Sequence, residues 1–162
     1  NPKINDMTKF RVFNYKSPAL DTYDPWYAKK IILKKYGESK LWKNEIKMYD
    51  ILNQSKFVIV KYPMTTLSEA LIANVPFALF YDPSHWDLHK DCENMINIMR
   101  ENKLYFEDPK QLSNHLNNIW PATNEWWNSQ NVLDARNYLK NTTANLNKNW
   151  TNEWVTFLRN IN

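Results

Sequence analysis

Where a short apolar run gives way to the helix-forming stretch Leu67–Ala73, the chain places Thr65, Thr66, Ser68 and Glu69 within one helical turn and a half. The first amides of a helix have no partner inside it, and the macrodipole makes that end positive. Together with three hydroxyls, such a turn makes a cradle for phosphate. Glu69 stands too far along to touch phosphate and is better placed to accept hydrogen bonds from ribose or sugar hydroxyls. The four residues therefore outline a nucleotide-shaped site. The same residues also suit a purely structural role, because Thr and Ser at a helix start cap more often than they bind, and Glu69 alone can balance the dipole.

Other chemistry finds less support. Gly37 is the only glycine, and neither Gly-x-Gly-x-x-Gly nor a Walker sequence occurs, so a glycine-lined pyrophosphate loop is excluded and nicotinamide dinucleotide binding is disfavoured. His85 and His89 have the spacing of one helical turn, with Asp82 and Asp87 nearby. They lack the Glu of a His-Glu-x-x-His site, His115 falls in a different helix, and capping by Asp82 or Ser84 explains the segment better than a metal. Cys92, three residues after His89, reads as a packed mid-helix thiol. Trp126-Trp127 and Trp150/Trp154 could stack sugars or bases, but this spacing more often packs a helix onto a sheet.

These residues need a scaffold, and composition bounds it. Hydrophobic residues make up 43% of 162 and include 8 Trp, 9 Tyr and 7 Phe, which excludes a disordered chain and fits one domain around one core. Twenty-one basic against 17 acidic residues leave a net charge of +4, scattered in pairs such as Lys29-Lys30 and Lys34-Lys35. That is no nucleic-acid footprint. No apolar run reaches the roughly 18 residues of a membrane span. The single Cys92 cannot close an internal disulfide, so a reducing, cytoplasmic setting is expected. The opening Asn-Pro-Lys has neither an initiator Met nor a signal-peptide core, which reads as a piece excised from a longer polypeptide.

The element pattern is α/β. Phe10–Tyr15 reads as a first strand ending at Ser17-Pro18, followed by a loop from Pro18 to Pro25. Trp26, Tyr27, Ile31 and Ile32 give helical spacing up to Gly37 as the C′ residue, and a second amphipathic helix is predicted over Leu41–Asn53. Phe57–Val60 is an uninterrupted apolar run, the mark of a strand buried on both faces. With the helix Leu67–Ala73 and the buried strand Val75–Tyr81 it forms a βαβ unit. A long helix is predicted from Trp86 to about Lys103, then a short strand at Leu104–Phe106. Asp108 as N-cap with Pro109 behind it starts the next helix, and beyond Asn124 only helices are expected. The fold class that follows is a Rossmann-like, three-layer α/β domain with a central parallel sheet, residues 1–122 as its core and 123–162 as a helical extension of the same single domain. Ligands of such a sheet bind outside the carboxyl ends of its strands, where Tyr62–Glu69 fall.

Tyr62, Thr65, Thr66, Glu69, Leu71, Asn74 and Pro76, then Tyr81-Asp82-Pro83 with Trp86-Asp87-Leu88, and later Glu125-Trp126-Trp127, form a longer pattern. Over Phe10–Arg136, and most closely over Val58–Leu88, it resembles a bacterial family of surface-carbohydrate transferases described from leptospiral genomes. The resemblance implies the C-terminal, nucleotide-sugar-binding half of a GT-B-like glycosyltransferase, in which substrates lie between two Rossmann-like domains. By that analogy Thr65, Thr66 and Ser68 meet the diphosphate, Glu69 binds ribose or the transferred sugar, Tyr62, Asp82 and Trp86 line the same crevice, and the Tyr15–Ser17 loop faces its rim. The implied partners are a nucleotide-activated small-molecule donor, a missing N-terminal acceptor-binding domain, and a membrane surface touched peripherally by the full protein. No separate cofactor, metal or nucleic acid is implied. The general base belongs to the missing half, so no catalytic residue is assigned and the piece alone is expected to be inactive. Two positions depart from GT-B usage, where glycine is common: the turn here is Pro63-Met64, and Asn74 precedes Val75. The alternative is a non-enzymatic flavodoxin-like or receiver-like interaction module in which the Thr-Thr-x-Ser cluster is only a cap; Asp21 and Asp24 do not supply a receiver's acidic cluster.

Overall fold

Short β-branched and aromatic runs frame residues 52–162, whereas residues 1–51 carry a hairpin and helices of their own; the chain divides into these two units. The computed structural model describes residues 15–17, 20–23, 28–42, 45–85, 87–144 and 149–161.

In the first unit, β1 (Tyr15–Ser17) pairs antiparallel with β2 (Leu20–Tyr23), Tyr15 opposite Tyr23. The stretch read as a loop from Pro18 to Pro25 thus contains a strand, and residues 10–14 of the predicted first strand lie outside the described residues. Helix α1 (Ala28–Tyr36) ends on Lys34 and Lys35, which complement its negative end. Gly37 follows with φ 82 and ψ 167, a positive φ that only glycine adopts freely. The predicted helix Leu41–Asn53 shrinks to α2 (Met48–Asn53), whose last two residues, Leu52 and Asn53, fall in the second unit. Leu41 is extended (φ −99, ψ 135) after a 3-10 turn at Glu38–Lys40, which interrupts the helical register.

In the second unit, β3 (Val58–Val60), β4 (Phe77–Phe80) and β5 (Tyr105–Phe106) form a parallel sheet in the order β3-β4-β5. Val58 lies opposite Phe77, and Leu79 opposite Tyr105. The described residues thus make a mixed α/β fold with a small parallel sheet and a predominance of helices. Helix α3 (Thr65–Ile72) connects β3 to β4, and α4 (Glu93–Glu101) connects β4 to β5. Then come α5 (Pro109–Ile119), α6 (Thr123–Trp127), α7 (Gln130–Thr143) and α8 (Trp150–Arg159).

Strand alternation divides the core. Ala78 packs with Phe106 and Leu112, joined by Phe57, Phe80 and Leu116, which seats α5 on one face of the sheet. Phe77, fully buried, points the other way and meets Trp127 edge-on at 5.4 Å. Helix α7 packs against α3 and α4 and buries Val132, Ala135 and Leu139. Trp126 meets Phe57 at 6.1 Å and His115 at 5.0 Å. These two tryptophans pack as the sequence suggests, but Trp150 and Trp154 on α8 are 61% and 57% exposed.

Two expectations fail for identifiable reasons. Strand β3 is covered on one face only, so its Ile59 is 51% exposed instead of buried; β4, between β3 and β5 in the described sheet, is the strand that matches the reading. The helix predicted from Trp86 begins only at Glu93. His89 is extended (φ −60, ψ 147) and its Nδ1 accepts from the Asp91 amide at 3.4 Å, breaking the helix before it can start. None of the described helices is long and apolar enough to cross a membrane.

Candidate functional site

The turn after β3 carries the residues singled out by type. Lys61 and Tyr62 leave the strand, with the Lys61 ammonium 5.4 Å from the centre of the Tyr62 ring. Tyr62 and Pro63 are half-buried and Met64 is exposed. Met64 is the N-cap of α3, in extended geometry (φ −118, ψ −163), and makes no side-chain cap bond. The Leu67 amide closes on the Met64 carbonyl at 2.8 Å, while the amides of Thr65 and Thr66 are first-turn donors with no acceptor inside the helix. No acidic residue lies in this first turn. Thr65 is exposed, and Thr66 and Glu69 are half-buried. Because Thr65 and Thr66 already belong to the helix, they follow the cap position instead of filling it.

Ser68 behaves differently. Its hydroxyl donates to the Thr143 carbonyl at 3.2 Å, tying α3 to the last turn of α7. Near the other end of α3, Asn74 holds a left-handed φ of 55, which asparagine tolerates better than most residues. Arg136 donates from Nη1 to the Trp127 carbonyl at 2.7 Å and from Nη2 to the Asn74 side-chain oxygen. Its guanidinium also lies 4.0 Å from the centre of the Trp127 ring. Only 5% of Arg136 is exposed, its Nε is buried without a partner, and burial pulls its pKa below the ordinary guanidinium value. Arg136 stays charged nonetheless, held by dipoles and a ring face. Asn74, Trp127 and Arg136 therefore do structural work: they set the position of α3.

Asp82 follows β4, the strand adjacent to β3, so the segments holding Tyr62 and Asp82 leave neighbouring strands about 4.8 Å apart. Asp82 is exposed, and its Oδ1 accepts from the Ser84 amide at 2.8 Å. Trp86 lies outside the described residues. Tyr15 belongs to β1 of the other unit, which among the described residues pairs with β2 in a two-stranded sheet; Tyr15–Ser17 is thus a strand and not a loop after a strand of the parallel sheet. The helical spacing assumed for His85 and His89 does not exist, since His85 ends a 3-10 turn and His89 is extended. Among the described residues no group of three or more His, Cys, Asp or Glu is arranged to hold a metal.

Sequence reasoning missed a second polar group where β4 and β5 end. Tyr81 and Tyr105 are buried with rings 5.1 Å apart, and the Tyr105 hydroxyl donates to the Tyr81 carbonyl at 3.4 Å. Burial, above all, raises both phenol pKa values, so both stay protonated. Glu107 is held below the usual carboxylate range chiefly by its 2.8 Å bond from Arg100, whose own pKa rises in return. The available signal was positional: Tyr81 closes the strand read as Val75–Tyr81, and Glu107 is the first residue beyond the strand read as Leu104–Phe106.

No curated protein and no solved structure matches this chain. A family model does, the one described as LIC12162 family transferase, and it matches residues 1–158. That span is nearly the whole sequence, and it takes in both the α3 turn and the Asn74, Trp127 and Arg136 clasp. The chain belongs to the LIC12162 family of transferases.

Proposed function

We propose that this chain forms the nucleotide-sugar-binding half of a GT-B-like glycosyltransferase acting in bacterial surface-polysaccharide synthesis. The observation that carries the reading is the start of α3. It follows a strand of a parallel sheet at the carboxyl end, where such sheets bind ligands, and no side chain caps it. Amides of Thr65 and Thr66, their hydroxyls and the helix dipole would take the diphosphate of the donor. Because Ser68 bonds to Thr143, it supports the helix in this scheme and touches phosphate only if that bond opens. Glu69 would accept hydrogen bonds from ribose or sugar hydroxyls, with Tyr62, Asp82 and Trp86 along the crevice.

In the transfer step, negative charge grows on the departing diphosphate, and preoriented amides stabilise it without rearrangement. The acceptor and the general base would come from a further domain, in a cytoplasmic protein that touches the membrane peripherally. Glu69→Ala tests the assignment. Titration with UDP, GDP, CDP and ADP by calorimetry should find one that binds the chain, with affinity falling about tenfold in the variant and an unchanged melting temperature. A variant that loses stability as much as affinity makes Glu69 structural, and no heat with any nucleotide refutes the reading.

A further inference from the structure

Just beyond β5, at the outer edge of the sheet, lies a hollow of about 240 Å³ lined by Arg100, Tyr105, Phe106, Glu107, Asp108 and Gln111. Its walls are preoriented. Arg100 donates from Nη2 to Glu107 Oε1 at 2.8 Å and from Nη1 to Asn97 Oδ1 at 2.7 Å. Both members of the ion pair nevertheless keep 50% and 44% of their side-chain surface open. Asp108 accepts from the Lys110 amide at 2.9 Å, and Gln111 stands exposed in the first turn of α5. Behind them Tyr105 is buried, its hydroxyl shared between the Tyr81 carbonyl at 3.4 Å and the Glu107 carboxylate.

The chemistry of this lining selects a ligand. Two carboxylates against one guanidinium leave it net negative, which disfavours phosphate or any other anion. Guanidinium and amide donors stand beside carboxylate and amide acceptors, an arrangement that suits vicinal hydroxyls, each of which both donates and accepts. Tyr105 and Phe106 floor the hollow but are buried, the Tyr105 ring lying under the Arg100 guanidinium at 5.2 Å, so the contacts to a ring come from the exposed polar side chains of Arg100, Glu107 and Gln111. The volume falls below the roughly 300–1,000 Å³ of pockets for drug-sized ligands, so it admits one ring and not a nucleotide.

We propose that the hollow beyond β5 binds a single neutral sugar ring through Arg100, Glu107 and Gln111. The site stands whether or not the α3 turn takes a nucleotide. Two sources offer the same chemistry. One is a free glycan unit. The other is the sugar of an activated donor, since β3 and β5 are two strand spacings, about 10 Å, apart.

Amide NMR spectra of the chain titrated with methyl glycosides of glucose, galactose, mannose and N-acetylglucosamine, and separately with UDP-glucose and GDP-mannose, test the site. Shifts centred on Glu107 and Gln111 are expected, about tenfold weaker in apparent affinity in Gln111→Ala at an unchanged melting temperature; Glu107→Gln, which keeps the side-chain shape, should weaken binding likewise. Shifts with a methyl glycoside assign a free glycan unit. Shifts only with a nucleotide sugar, and not with its nucleoside diphosphate alone, assign the donor's sugar. Silence at both residues with every probe overturns the proposal, even if nucleoside diphosphates move the amides of Thr65 to Glu69. So do shifts that persist undiminished in both variants.

Discussion

Among the described residues, two short turns lead directly from the end of a parallel strand into an α-helix, and they finish differently. At α5, Asp108 sits just before the helix, accepts from the Lys110 amide at 2.9 Å, and is followed by Pro109. A carboxylate thus already occupies the positive end of that helix. At α3, Met64 holds the same position without a side-chain bond, and the hydroxyls come one and two residues too late to cap. The comparison teaches that side-chain oxygens near a helix start cap it only from the residue before the first turn. It also separates α3, whose start carries no side-chain cap, from α5, whose start is already occupied by Asp108.

Helix α3 forms without a cap because packing supplies what capping does not. Leu67, Ala70 and Leu71 are buried, and two bonds to α7, from Ser68 to Thr143 and from Arg136 to Asn74, hold it near both ends. The largest effect should therefore come from that clasp. Arg136→Ala leaves the buried Trp127 carbonyl unsatisfied, releases the exposed Asn74 side chain to water and removes the ring contact, an expected loss on the order of 2–4 kcal/mol. Chemical denaturation measures it, and a loss below about 1 kcal/mol would mean that packing alone positions α3.

The contrast itself is tested by truncation. Asp108→Ala should cost about 1 kcal/mol as a lost cap, whereas Thr65→Ala and Thr66→Ala should each stay within about 0.5 kcal/mol. Equal losses at the two helices would erase the difference. Met64→Asp should sharpen it, because the extended backbone of Met64 already suits an N-cap. A gain of about 0.5–1 kcal/mol in stability is expected, with weaker nucleoside diphosphate binding as the new carboxylate takes the anion's place. A variant that is stabilised yet binds as well as before separates the helix end from the site.

The smallest effect concerns His115 on α5. Burial, reinforced by Lys103, lowers its pKa, and its Nε2 is buried without a partner. The ring lies 5.2 Å from Phe106 and 5.0 Å from Trp126. The native state therefore resists a proton that the unfolded chain accepts. Stability should fall as pH drops from the unfolded pKa of about 6.5 toward the lower native value, then level off. His115→Gln should flatten that limb in melting curves recorded between pH 7 and 5, and an unchanged slope would assign the acid sensitivity to carboxylates such as Glu107.

What the sequence revealed follows the range of the forces involved. Asp108-Pro109 is a local signal and starts α5 where expected. Strand β4 is legible because every neighbour of Phe77–Leu79 is apolar and all three are buried. The run Phe57–Val60 looks the same locally, but whether one face of a strand or both are covered depends on tertiary packing, which short windows do not contain. His89 stops a helix through its own backbone and ring nitrogen, a choice that hydrophobic spacing does not register. For the candidate site, the grouping of Thr65, Thr66 and Glu69 was legible because one helix carries all three. The bond from Ser68 to Thr143 and the clasp from Arg136 to Asn74 span 75 and 62 residues, and both needed the fold. Arg100 and Glu107 are only seven residues apart, yet they meet because α4 turns back into β5.

The central claim is that the uncapped start of α3 receives the diphosphate of a donor. The most direct measurement follows the backbone amides by NMR while a nucleoside diphosphate is titrated into the chain. Saturable shifts are expected at Thr65 and Thr66, with the Lys110 amide, already bonded to Asp108, unmoved. Stationary amides at Thr65 and Thr66, or equal movement at both helix starts, would contradict the claim.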